Sequence, residues 1–210
     1  AARATSVAAG PAWRRVPAEF AGVLRRPFAR VLLALVFFEG MCLYGPFAFV
    51  ASHVHQRFGL SLSHAGALVM LFGLGGLLFA LASGRLVMRL GEQGLARGGG
   101  VLMCASLLGV AYAPAWGWVV AGCLVLGLGF YMMHNTLQVN ATQMAPDRRG
   151  AAVSAFAACF FLGQSAGVWL GGLALGTVGA GHFIALGGFG LLVLSLLFVA
   201  ALQRRRRAAP

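Results

Sequence analysis

The chain has 210 residues, of which 60% are hydrophobic and 10% charged, with a formal net charge of +12 at pH 7. So little charge on so apolar a chain excludes a soluble globular domain, where about 25% of residues are charged. The positive charge forms no stripe along a surface but caps the ends of apolar blocks, which argues against a nucleic-acid partner and places the arginines against lipid headgroups.

In chain order, the first thirty residues hold six arginines, with Glu19 the single acid, and are interrupted by Pro11, Pro17 and Pro27. They read as a cytoplasmic linker, 1–30, in preference to a transit peptide. With no initiator methionine, the chain is expected to be cut from something longer. Within Ala12–Arg30, Trp13, Val16, Phe20, Val23 and Leu24 oppose Arg14, Arg15, Arg25 and Arg26, a short amphipathic pattern suited to a leaflet surface.

Six apolar blocks follow: Val31–Val50, Ala65–Gly84, Gly98–Ala115, Trp116–Val139, Ala151–Val178 and Phe183–Leu202. Each has about the ~20 residues with which an α-helix crosses ~30 Å of hydrocarbon. Fifteen of the sixteen arginines fall at alternate joints, and the other joints hold only Arg57. Arginine is retained on the cytoplasmic side, so the expected protein has six spans in the plasma (inner) membrane with both termini cytoplasmic. The bundle is 31–202 and the tail 203–210 is a cytoplasmic basic segment.

The joints carry further expectations. His53–Ser63 reads as a polar outer loop in which Ser63 caps the second span. Arg85–Arg97 is a longer inner loop. The turn at Pro114 is tight, which makes spans three and four antiparallel neighbours. Asn140–Gly150 forms an inner loop, and Gly179-Ala180-Gly181 the last outer turn. Trp13, Trp116 and Trp118 read as interfacial anchors, while Trp169 lies deeper.

Glu39 is the only acid inside a block. An ionised carboxylate at that depth costs at least ~2.5 kcal/mol on insertion scales, so it should face the bundle interior or water, as a proton carrier or a cation's counter-charge. In span four, Tyr131, His134 and Gln138 share one helical face, with Asn135 beside them and Asn140 near the interface. In span five, Gln164 and Ser165 lie mid-membrane beside a glycine row, Gly163, Gly167 and Gly171, with Gly172 and Gly176 on an adjacent face. Gly76, Ala80 and Gly84 repeat the pattern in span two. Such rows let helices approach closely in lipid.

Other patterns are weaker. Cys42, Cys104, Cys123 and Cys159 sit in four different blocks with no C-x-x-C spacing, so neither a disulfide framework nor a zinc site is indicated. His53, His55 and His64 have no acid or cysteine alongside, and read as solvated loop histidines with no metal. Gly163-Gln164-Ser165-Ala166-Gly167 fits G-x-S-x-G, but within a continuous apolar helix. A six-span serine protease would pair Ser165 with His182, which lies about 15–20 Å away in depth.

Gly84-Arg85-Leu86-Val87-Met88-Arg89-Leu90-Gly91 resembles the G-x-L-x-D-R-x-G-R-R loop signature of the major facilitator superfamily. Tyr44-Gly45-Pro46, Phe58-Gly59-Leu60-Ser61 and Ala65-Gly66 resemble span seven, its loop and span eight of that family. Pro146-x-x-Arg149-Gly150-Ala151 with Phe161-Leu162-Gly163 resembles the start of span eleven. The likeness covers about 30–202, with Met88 at the signature's acidic position and Glu92-Gln93 at its basic pair.

The resemblance implies an all-α membrane protein, six transmembrane helices forming the C-terminal half of a twelve-helix facilitator fold, nearest the drug and sugar efflux branch. It implies a secondary transporter, not an enzyme, with no cofactor. Proton-coupled efflux or antiport of a small organic molecule is expected, through a path lined by Glu39, His134, Asn135 and Gln164. Gly84, Arg85, Arg89 and Gly91 would brace the inner ends of spans two and three. The implied partners are the small-molecule substrate, the bilayer, and either a missing N-terminal half or a second copy.

Overall fold

The computed structural model describes residues 16–207, and these are helical almost throughout, with no strand among them. The helices are α1 (Val16–Leu24), α2 (Pro27–Phe47), α3 (Val50–Phe58), α4 (Leu62–Ala111), α5 (Trp116–Gln143), α6 (Arg149–Val178) and α7 (Ala180–Arg207), with a 3₁₀ turn at Pro146–Arg148 before α6. Five stretches are long and apolar enough to cross a membrane: Pro27–Phe58, Leu62–Ala111, Trp116–Gln143, Pro146–Val178 and Ala180–Arg207.

Leu62–Ala111 is 50 residues long, about 75 Å if straight, more than twice the hydrocarbon thickness. It is not straight. Gly91 has φ 61° and ψ −178°, a conformation in which a Cβ is strained, and there the helix breaks. The contacts show what the break does. Phe72 and Gly76 meet Gly127 and Tyr131 of α5, so the first arm runs parallel to α5. Glu92 meets Asn140, Gly99 meets Gly129 and Met133, and Val110 meets Gly122, so the second arm runs antiparallel to it. The chain therefore turns back on itself at Gly91.

The expected inner loop Arg85–Arg97 is accordingly a correction: it is helix on both sides of one residue. Nothing in Arg85-Leu86-Val87-Met88-Arg89-Leu90 breaks a helix, since arginine, leucine and methionine all favour one. The expected outer loop His53–Ser63 is likewise helical as far as Phe58. Pro46 sits inside α2, where its missing N–H and ring weaken the helix. Two turn residues separate α2 from α3, which carries the same crossing onward. The cap of α4 is Ser61, not Ser63: its hydroxyl accepts from the His64 N–H at 3.3 Å. Helices also overrun the apolar blocks, α2 beginning at Pro27 and α7 running to Arg207. The turn 112–115 around Pro114 is short, and the second arm of α4 and α5 are antiparallel neighbours.

Two close interfaces order the bundle. In the first, α2 and α6 run parallel, Phe37 and Met41 meeting Gly163 and Gly167, and Phe49 in the turn after α2 meeting Gly171. A Cβ on Gly163 or Gly167 would lie within 3 Å of the α2 backbone, so only bare Cα atoms allow this approach. Gly172, Gly176 and Gly84 have open space around them; the expected continuation of both rows is not a packing surface here. In the second, α7 runs antiparallel to the second arm of α4, with Gly100 against Ser195 and Gly188 against Cys104 and Leu107. Between them, α7 also contacts α2 through Gly187, beside Cys42 and Pro46.

Among the described residues, the arginine-rich joints meet at one end, Arg57 alone lying at the other. Arg26 binds Asp147 and donates to the Met144 carbonyl, while Arg148 pairs with Glu19 of α1 at 3.2 Å. Within the amphipathic segment, Val23 is buried and Phe20 half-buried, while Leu24 is exposed; Trp13, Arg14 and Arg15 lie outside the described residues. At the opposite end His53 bonds the Ala111 carbonyl at 3.1 Å and Tyr112 meets the His182 ring.

Candidate functional site

Glu39 lies twelve residues into α2, about 18 Å along its axis from Pro27. It is fully buried. Its neighbour across the bundle is His134 of α5, whose Nδ1 is 2.8 Å from the Glu39 Oε2. The other carboxyl oxygen, Oε1, is buried with no partner. A buried polar oxygen without a partner carries a desolvation penalty of about 1–3 kcal/mol, so this is a stressed site that a proton or cation would relieve.

An aromatic box fixes the imidazole. Its ring stacks on Phe130 with centroids 4.7 Å apart, and leans on Phe160 at 4.7 Å and Phe156 at 5.5 Å. Tyr44, one turn and a half beyond Glu39, closes the box edge-on to Phe130 and Phe160, at 5.9 and 5.6 Å. Phe130 and His134 are one turn apart on α5, while Phe156 and Phe160 are one turn apart on α6; helical spacing alone brings each pair to the same side. The carboxylate is buried, and the histidine is its one hydrogen-bond partner among the described residues.

His134 has a second face. It lines a cavity of about 360 Å³ together with Tyr131, Asn135 and Gln138 of α5 and Gly76, Phe79, Ala80 and Ser83 of α4. Glu39 does not line it. The histidine side chain is 16% exposed and the glutamate 0%, so His134 stands between the cavity and the buried acid. Three polar side chains on one stripe of α5 thus face a hydroxyl on α4, an arrangement suited to binding a small polar or cationic group.

The four expected path residues are therefore divided. Glu39 and His134 meet, Asn135 shares the cavity wall, and Gln164 is elsewhere. Its side chain lines a separate, open depression on α6 with Phe161, Ser165, Val168 and Trp169. Sequence reasoning missed Ser83 and the aromatic box. Ser83 hides beside Gly84 in the loop signature, and the aromatics carry no mark separating a box from ordinary core. Ser165 donates to the Phe161 carbonyl in its own helix at 3.0 Å, and His182 is engaged by Tyr112, so no base attends this serine. His53, His55 and His64 bond Ala111, Leu60 and Ser61 respectively. His53 is buried rather than a solvated loop residue, because α3 carries it back against the end of α4.

A second polar cluster lies at the arginine-rich end. Asn140 is buried and donates to Glu92 and, at 3.0 Å, to the Thr136 carbonyl. Arg205 donates to the Asn140 Oδ1 at 3.1 Å, and Arg206 reaches Glu92 at 3.2 Å. Gln203 donates to Gln93 at 3.3 Å. Glu92 and Gln93, the departures from the loop signature, thus tie the Gly91 bend to α5 and α7. Arg85, Met88 and Arg89 are exposed on the first arm.

Compared with known families, residues 3–168 match the sequence model of the Major Facilitator Superfamily. No significant similarity to a curated protein or to a solved structure was found.

Proposed function

Because the chain belongs to the major facilitator superfamily, a family of membrane transporters, we propose that it is a proton-coupled exporter of small organic molecules, its protons carried by Glu39 and His134. The observation that carries this reading is the buried carboxylate joined at 2.8 Å to a histidine that faces a cavity. A proton on the Oε2–Nδ1 line satisfies this contact in either of two protonation states, which differ by one proton. With the carboxylate ionised, the imidazole N–H donates to it; with the carboxyl protonated, its O–H donates to the neutral ring nitrogen. A proton arriving from the cavity side on the free imidazole nitrogen takes the pair from a net charge of −1, carboxylate with neutral ring, to zero. Loading and release of that proton changes the charge of the cavity wall beside Asn135, Gln138 and Tyr131, which is how proton binding is felt by a substrate there.

The architecture we infer is six crossings, the two arms of Leu62–Ala111 each counting as one, with the arginine-rich end cytoplasmic. The cavity opens beside α4 and α5 and is not closed by this chain. A second half, either an N-terminal six-helix partner or another copy, would complete it across a pseudo-two-fold axis, with access alternating by rocking of one half on the other. Gln164 and the α6 depression would then face that partner.

The test is flux of ethidium, an aromatic cation, in vesicles carrying the chain with or without a co-expressed N-terminal half, driven by an imposed pH gradient. Proton-driven flux is expected in the native chain and only background flux in Glu39→Gln, with the variant still folded. Flux that persists unchanged in Glu39→Gln would remove the acid from coupling.

A further inference from the structure

A larger cavity than the one at His134 has no part in that reading. An apolar groove of about 900 Å³ runs between α2 and α7, walled by Val31, Phe38, Leu194 and Leu197 and closed at the arginine-rich end by Arg204 and Arg205. We propose that this groove is a binding site for one anionic phospholipid of the leaflet at that end, its phosphate on the two guanidinium groups and an acyl chain along the floor. The proposal is independent of transport.

Length, charge and preorganisation support it. The α2 wall extends from Phe28 to Phe38, ten residues or about 15 Å, which is the depth of one leaflet in a ~30 Å hydrocarbon layer. Among the described residues the charge at the mouth is unmatched. Each acid of the chain is engaged elsewhere: Glu19 by Arg148, Glu39 by His134, Glu92 by Arg206, and Asp147 by Arg26 and Arg148. Arg204 makes no ion pair among the described residues, and Arg205 touches only the neutral Asn140 amide and the Phe28 ring. Arg205 is also held in place, its guanidinium carbon 4.4 Å from the Phe28 centroid and its Nη1 bound to Asn140. A guanidinium so fixed presents its remaining N–H groups to a phosphate at little further entropic cost.

Other occupants fit less well. A free phosphate would leave the apolar floor uncovered, and a second copy of the chain would bring its own excess of arginine to the same mouth. A neutral lipid would fill the floor without compensating the charge.

Native mass spectrometry of the detergent-solubilised full chain, titrated with phosphatidylglycerol, tests the assignment. Arg204→Gln with Arg205→Gln removes the mouth, and Ala34→Trp, at an exposed position on the floor, fills the groove while keeping both arginines. Arg207→Gln, outside the lining, is the control. Each groove variant is expected to weaken phosphatidylglycerol binding about tenfold, with the control within about twofold and phosphatidylcholine bound weakly by all. Arg204→Gln alone gives the same readout if the double variant fails to fold. Equal retention of the two lipids, undiminished binding in Ala34→Trp, or displacement by glycerol phosphate would overturn the proposal.

Discussion

The four acids of this chain divide between two regions. Glu19, Glu92 and Asp147 stand at the arginine-rich end, partly exposed and paired with arginine. Glu39 stands alone near mid-membrane, fully buried and paired with histidine. The choice of partner is what separates the two regions. A guanidinium stays protonated throughout the physiological range, so an arginine pair is a permanent tie, whereas imidazole changes charge near neutrality. The rim pairs hold helices together, and under the proposed function the central pair is the one that changes state. The Glu92–Asn140–Arg205–Arg206 cluster joins α4, α5 and α7, and the Glu19–Arg148–Asp147–Arg26 cluster joins α1, α2 and the start of α6.

Breaking the central pair should have the largest effect. His134→Phe keeps the packing against Phe130 and Phe160 but leaves both Glu39 oxygens without a partner. Removing one member of a buried pair costs about 3–5 kcal/mol. Thermal unfolding in detergent should show that loss, and Glu39→Leu on the same background should recover most of it, since an apolar pair of similar volume is close to neutral. An unchanged melting temperature for His134→Phe would mean that the pair contributes nothing at the centre.

At the rim, Asn140 is the one buried member and should be the costliest there. Asn140→Leu takes a hydrogen bond from Glu92 and another from Arg205, though Glu92 keeps Arg206. The expected loss is about 1–3 kcal/mol, that of hydrogen bonds to charged groups. Because α5 is long, the damage should be local: hydrogen exchange should speed at the Gly91 bend and the end of α7, but not around His134. Exchange that rises equally at both places would erase the distinction between the two regions.

How much of this could be read from the residues varies with the range of the interaction. The apolar blocks, the tight turn at Pro114 and the spacing of Gly163, Gly167 and Gly171 are local patterns, and each implies a shape by itself. The depth of Glu39 is also local, because it needs only a count along one block. Its meeting with His134 is not, since the two residues are 95 positions apart and their contact depends on how α2 sits beside α5. Gln164 shows the converse. Its depth was legible, yet which face of α6 it occupies relative to α2 is decided by the glycine row, which turns Gly163 and Gly167 inward and Gln164 toward the α6 depression. The loops failed for another reason. Charge marks where hydrocarbon ends, but a helix needs no hydrocarbon to continue, so Arg85–Leu90 and His53–Phe58 stay helical beyond it.

The smallest effect belongs to the exposed pair. Arg206 and Glu92 side chains are 63% and 31% exposed, so water and salt already screen their attraction, and such pairs contribute about 0–1 kcal/mol. Arg206→Gln should therefore lower stability by less than about 1 kcal/mol at low ionic strength, and the difference should vanish in roughly 1 M salt, where the Debye length is about 3 Å. The same salt series applied to His134→Phe should leave its deficit in place, because Glu39 is fully buried and a buried pair is screened little by salt. A deficit there that disappeared with salt would mean that the centre is wet, and that histidine and arginine pairs in this chain differ only in position.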